Sequence, residues 1–153
     1  MSTIAGMLAD YQPLSRLNAA SLEAIAQHST VMQFDAGARM LRTGNTADTM
    51  YVLRHGKVAV EVLNGAGGSL VIETLGSGDV VGISWMLPPY RLAFDVRCIE
   101  QCGVIAVDAQ ELRDACDADP AVGYDVYKLL AGVVRERLQA TRLQLLDLYK
   151  GSS

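Results

Sequence analysis

Gly76 to Arg97 reads GSGDVVGISWMLPPYRLAFDVR, and the rest of the chain is organised around it. It opens with turn residues, Gly76, Gly78 and Asp79, and a short apolar run, Val80-Val81. The strand pattern stops at Gly82. Ile83 to Leu87 can make one or two helical turns, which Pro88-Pro89 end because proline lacks an N–H and clashes with the preceding turn. Arg91 follows, and a second apolar run begins at Leu92. This order is a physical recipe for an anion site: backbone N–H groups at a helix start, a glycine that admits a ligand, and a guanidinium that forks onto phosphate. An ordinary proline-rich loop with one solvated arginine is the other reading of the same residues.

Outward from this stretch the pattern is mostly β. Val31 begins a strand period, and Phe34 to Gly37 and Thr43-Gly44-Asn45 read as turns. Met50 to Arg54 is β-rich, His55-Gly56 is a tight turn, and Val58, Val60 and Val62 alternate with Lys57, Ala59 and Glu61 as a strand with one wet face. Asn64 to Gly68 is a hairpin turn on its Asn-Gly pair. Leu70 to Leu75, Phe94 to Ile99 and Val104 to Val107 complete about eight short strands. That spacing predicts a mainly β chain with flanking helices, its strands forming a double-stranded antiparallel β-helix of the jelly-roll or β-roll kind. The expected organisation is an N-terminal helical segment over 1–30, a β-roll over 31–108 and C-terminal helices over 109–150. In the first, residues 3–29 read as helix, with Pro13 in a first turn and Ser21 as a cap for Leu22 to His28. In the last, Asp108 caps a short helix and Pro120 opens a long one. Along the long helix Tyr127, Leu130, Val134, Leu138, Thr141, Leu145 and Leu148 make an apolar stripe. It is too long for a small barrel to cover, so a second copy of the same helix is expected to cover it in a homodimer.

The 153 residues, 50% hydrophobic and 20% charged, suit one globular domain. A net charge of −4 argues against a surface that grips nucleic acid through many phosphates. No apolar run approaches the about 18 residues that span a bilayer, and the N-terminus does not read as a secretory signal. Cys98, Cys102 and Cys116, an odd number, do not suggest a disulfide framework, so a cytoplasmic location is expected. His28 and His55 are too few for the metal centre of a cupin enzyme, and the cysteine spacing does not suit zinc. No phosphate-cradling loop or nucleophile elbow is present, so no catalysis, metal or cofactor is expected. Arg39, Arg42 and Arg54 read as scattered solvated charges rather than a basic patch.

Three segments carry a resemblance. FDAGARMLRTGNTADTMYVLRHGKVAV (Phe34–Val60), LGSGDVVGISW (Leu75–Trp85) and RERLQATR (Arg135–Arg142) resemble the first strands, the cassette entry and the central helix of the cyclic nucleotide-binding domain of the catabolite activator protein superfamily. The likeness covers about residues 12 to 148 and makes 76–97 the phosphate-binding cassette. It implies a regulatory domain that binds cAMP, cGMP or a similar phosphate-bearing ligand and signals through a dimer helix to an unidentified protein partner. Gly82 matches a cassette glycine, and Thr141 matches the residue that touches the purine. Where the family has a ribose-binding Glu this chain has Ile83, and the phosphate-clamping Arg falls on Leu92, with Arg91 one residue off. The candidate ligand contacts are therefore Gly82, Ile83, Ser84, Arg91, Leu92, Ala93 and Thr141. Arg91 is expected to supply the charge. The family's transcription factors carry a DNA-reading domain after this helix; this chain stops at about Lys150, so direct DNA binding is not expected. The alternative is a degenerate domain, its cavity filled by Trp85 or Tyr90, that acts as a ligand-free protein-interaction module.

Overall fold

A computed structural model describes residues 3–151; Met1 and Ser2, at the start of the expected helical segment, lie outside the described residues. That segment is broken into α1 (Thr3–Ala9), a single 3₁₀ turn (Leu14–Arg16) and α2 (Ala19–Ala26). Leu17 is extended, which ends the 3₁₀ turn, and α2 starts afresh two residues later. Its cap is Asn18 rather than Ser21: the Asn18 side chain accepts the Ser21 N–H at 2.9 Å. Ser21 lies inside the first turn, with its side chain buried.

Eight strands follow: β1 (Ser29–Phe34), β2 (Arg39–Leu41), β3 (Thr49–His55), β4 (Val58–Leu63), β5 (Ser69–Leu75), β6 (Val80–Val81), β7 (Asp95–Cys98) and β8 (Cys102–Asp108). They form two four-stranded antiparallel sheets, ordered β1-β8-β3-β6 and β2-β7-β4-β5, so the expected roll is the observed architecture. Continuous apolar runs rather than alternation mark β3 and β8, so that neighbours such as Val104 and Ile105 are buried on both faces, with Leu53 and Val58 in the same core. Where β3 turns into β4, Gly56 takes φ +97°, and a Cβ there would come within 2.5 Å of the Gln101 carbonyl oxygen, so only glycine fits.

The wet face expected on β4 is not wet. Glu61 is only 4% exposed. Arg97 on the neighbouring β7 covers it, donating Nε–H to Glu61 Oε1 at 2.7 Å, while the Ser69 hydroxyl donates to Oε2 at 2.5 Å. Asp95 is enclosed in the same way by Arg39 and Thr43. A row of ion pairs laid across strands thus shields a face that alternation assigns to water.

After β8, Asp108 caps α3 (Ala109–Ala118) by accepting the Glu111 N–H at 2.9 Å. Pro120 opens α4 (Pro120–Gly151), 32 residues and about 48 Å long. Its first half is bound to the domain through Val122, Val126, Leu130 and Val133. Beyond Val133 the apolar residues are open: Leu138 is 47% exposed, Leu145 50% and Leu148 70%. Of the expected stripe, Leu130 is buried and Tyr127 half-buried, Val134, Leu138 and Thr141 border a cavity against the β-roll, and Leu145 and Leu148 are exposed. Among the described residues no helix is long and apolar enough to cross a membrane.

Candidate ligand-binding site

The residues after β6 make a short arch. Gly82 has φ +83°, and a Cβ there would stand 3.2 Å from the Thr49 carbonyl oxygen. Ser84–Met86 then form one 3₁₀ turn, the short end of what the sequence allows. Trp85 within it is fully buried and turned into the core. Its Nε1–H donates to Met50 Sδ at 3.2 Å, and its ring meets Tyr127 edge-on with centroids 5.5 Å apart. The arch is tied to the helices by its carbonyls. Tyr127 Oη–H donates to Met86 O at 3.1 Å, and Arg113 Nη1–H to Trp85 O at 2.9 Å. The Arg113 guanidinium also lies 4.0 Å over the Tyr90 ring. Burial is the main cause that raises the Tyr127 phenol above its ordinary pKa, so it stays a donor.

Because Trp85 turns inward, it leaves open a cavity of about 290 Å³ between the β2-β7-β4-β5 sheet, the arch and α4. Neither Trp85 nor Tyr90 lines it. Gly82, Ile83, Ser84, Leu92, Ala93 and Thr141 all do, so six of the seven candidate residues meet at one place. The walls are apolar, from Leu41, Val60, Ile72, Val81 and Val96, with Phe94 at the same cavity.

Arg91 is the exception, and the expectation that it faces the cavity is corrected. It does not line the cavity: its Nη1–H donates to Gly44 O at 3.1 Å on the outer side. The backbone settles this. Arg91 bridges Thr46, Gly44 N–H donates to Leu92 O at 2.8 Å, and Leu92 N–H donates to Asn45 O at 2.9 Å. Arg91 and Leu92 are thereby zipped to the β2–β3 loop in strand-like pairing, in which neighbours face opposite ways. Leu92 takes the inward side and Arg91 the outward side.

The charge in the cavity comes from Arg137 on α4, which sequence reasoning did not single out. Its guanidinium donates to Val80 O, and its Nε lies 3.9 Å from Glu73 Oε1. Both side chains line the cavity, and they are only 23% and 33% exposed. Thr141, one turn on, donates its hydroxyl to Arg137 O at 2.9 Å. The i,i+4 spacing from Thr141 was the available signal for Arg137. Glu73 had none. The β4–β5 register shifts so that Val60 pairs with Glu73 and Glu61 with Val71, leaving Ile72 as the extra residue of a bulge. Ile72 and Glu73 therefore both reach the cavity, against the period of two.

The cysteine thiols lie outside the cavity. Cys98 is pushed up to about 12 by burial and by the adjacent Cys102, and Cys116 to about 11 by burial. All three thiols are free and buried. His28 pairs with Glu111 at 3.0 Å. Among the described residues no three His, Cys, Asp or Glu gather as a metal site would require.

A β-roll closed by a helix over an apolar-walled cavity with a few convergent polar groups is the form of a small-molecule receptor domain. The chain belongs to the cyclic nucleotide-binding domain family, whose sequence model matches residues 31–119. It is 23% identical over 129 residues to the cAMP-activated global transcriptional regulator CRP of Pasteurella multocida, a match covering 84% of this chain and 60% of that protein. It thus spans about three-fifths of that relative's length. Among solved structures, a cyclic nucleotide-binding domain from Methylobacillus flagellatus superposes with TM-score 0.78 at 14% identity, covering 94% of this chain and 80% of that one. The regulatory domain of Toxoplasma gondii PKA, crystallised with cAMP, superposes with TM-score 0.72 at 18% identity, covering 87% and 49%.

Proposed function

We propose that this chain is a non-catalytic regulatory domain that takes a cyclic nucleotide, cAMP or cGMP, into the cavity under α4. The observation that carries the reading is the placing of Arg137, Glu73, Thr141 and Ser84 on one otherwise apolar cavity. Arg137 meets the anionic phosphate. Ser84 adds a hydroxyl from the arch, Thr141 meets the base, and the Glu73 carboxylate accepts from ligand N–H or O–H groups. The known cAMP partners of the Pasteurella and Toxoplasma relatives support this choice of ligand. The open cavity, with Trp85 and Tyr90 directed elsewhere, weighs against a ligand-free interaction module.

Binding transmits through the arch. Its carbonyls are held by Tyr127 of α4 and Arg113 of α3, so a ligand that shifts residues 82–93 pulls on α4. The open apolar residues of α4 then pack on a second copy, and the angle of that pair is the output read by a protein partner. Three buried, unpaired thiols suit the reducing cytoplasm as its location.

Calorimetry with cAMP and cGMP on the wild type, Arg137→Ala and Arg91→Ala tests the reading. Removing the cation from a buried phosphate costs about 3–5 kcal/mol, so Arg137→Ala loses at least about a hundredfold in affinity. Arg91→Ala binds as the wild type does. No heat from either nucleotide at about 1 mM would sink the proposal.

A further inference from the structure

A second concave site lies behind the first. Leu41 and Leu92 form the shared wall: on one side is the α4 cavity, on the other an open cleft of about 500 Å³. Three arginines line the cleft: Arg39 on β2, Arg42 just after it, and Arg91, about 50 residues further along the chain. Thr46, Thr49 and Tyr51 add hydroxyl-bearing side chains. The one carboxylate among its lining residues is Asp48. This is a concentration of positive charge in a chain whose net charge is −4.

Two of the three guanidiniums are held in place. Arg39 is fixed by Asp95 at 2.5 Å, and Asp95 is itself fixed by the Thr43 N–H and hydroxyl, each at 2.7 Å. Arg91 is fixed by the Gly44 carbonyl, a neutral partner that leaves its charge uncompensated. Arg42 is exposed and forms no ion pair among the described residues. Like charges brought together on a concave surface repel one another and focus a positive field, and an anion relieves both. Planar guanidinium forks beside hydroxyl donors suit phosphate oxygens. With the Arg39 charge met by Asp95, Arg42 and Arg91 are the guanidiniums left to meet ligand charge, which suits two adjacent phosphate units.

We propose that this cleft is a second ligand site that binds a diphosphate or triphosphate group, independently of the cavity beneath α4. The test is a titration of the full chain with inorganic pyrophosphate at low salt, followed by calorimetry. Saturable binding is expected, weakening as salt rises. Arg42→Ala combined with Arg91→Ala lowers the affinity at least about tenfold, with Arg39 left in place to keep Asp95 paired. Arg137→Ala, on the other cavity, leaves pyrophosphate binding unchanged. Should the double variant melt early, Arg42→Gln alone carries the test, since that side chain is exposed and unpaired. A parallel titration with ADP separates the sources: tighter binding than pyrophosphate identifies a nucleotide, and equal binding a free diphosphate. No saturation up to about 10 mM pyrophosphate, or equal affinity in wild type and the arginine variants, overturns the proposal. Neither result bears on whether the α4 cavity takes a cyclic nucleotide.

Discussion

Gly82 stands where the arch leaves β6, and two constraints meet on it. Its φ of +83° is costly for any side chain, and a Cβ would press the Thr49 carbonyl oxygen at 3.2 Å and Leu41 Cδ1 at 3.0 Å. Leu41 can rotate away, whereas the backbone oxygen cannot. Gly82→Ala is therefore expected to lose about 1–3 kcal/mol of stability, read as a lower urea midpoint, and to narrow the cavity. Asp95 makes a different prediction. The Thr43 hydroxyl and N–H, and then Arg39, hold its carboxyl below the usual carboxylate range; Ser69 first, and then Arg97, do the same for Glu61. A folded pKa below the unfolded one means that the unfolded chain binds protons first as pH falls. The stabilisation is then complete above about pH 5, begins to fall as pH passes the unfolded values of about 4, and is lost as pH drops through the lower folded values. Thermal melts between about pH 7 and pH 2 should show this loss, and Asp95→Asn should melt lower at neutral pH with a shallower acid decline.

The elements are coupled at few points, and the arch is where that matters. Tyr127→Phe removes one hydrogen bond, from its hydroxyl to Met86 O, while keeping the ring against Trp85. The expected cost is about 1 kcal/mol, with faster amide exchange over residues 83–90 and unchanged exchange in β3 and β8. Equal protection of the arch in both proteins would show that α4 does not hold it. The N-terminal helices follow a similar logic. The Asn18 side chain caps α2, and its backbone N–H donates to the Asp125 carboxylate at 3.1 Å, tying α2 to α4. Ser21 offers no such link because it lies past the cap.

At the scale of the molecule the unsolved surface is the distal half of α4. Leu143, Leu145, Leu146, Leu148 and Tyr149 are open, at 64%, 50%, 48%, 70% and 75%. A helix of this length with so much apolar surface in water gains by pairing. Light scattering is expected to find a dimer for the wild type and a monomer for Leu145→Glu combined with Leu148→Glu, both with native melts of the β-roll. A wild type that runs as a monomer at about 100 μM would remove the helix pair from the proposed output.

Strand periods, the Asn-Gly hairpin, the Asp108 cap and the Pro120 helix start were legible in the chain because each depends on residues within a few positions of one another. Six of the residues around the cavity, Gly82, Ile83, Ser84, Leu92, Ala93 and Thr141, were legible through the resemblance of the cassette and central-helix segments to the family's, not through any period. What only the tertiary structure decided is which arginine serves the cavity and which carboxylates are buried. Arg91 is turned out by pairing with a loop more than 40 residues away, Glu73 is turned in by a bulge, and Glu61 is sealed by an arginine from another strand. Strand register and cross-strand cover arise between segments rather than within them, so local sequence assigns a residue its period but not always its side.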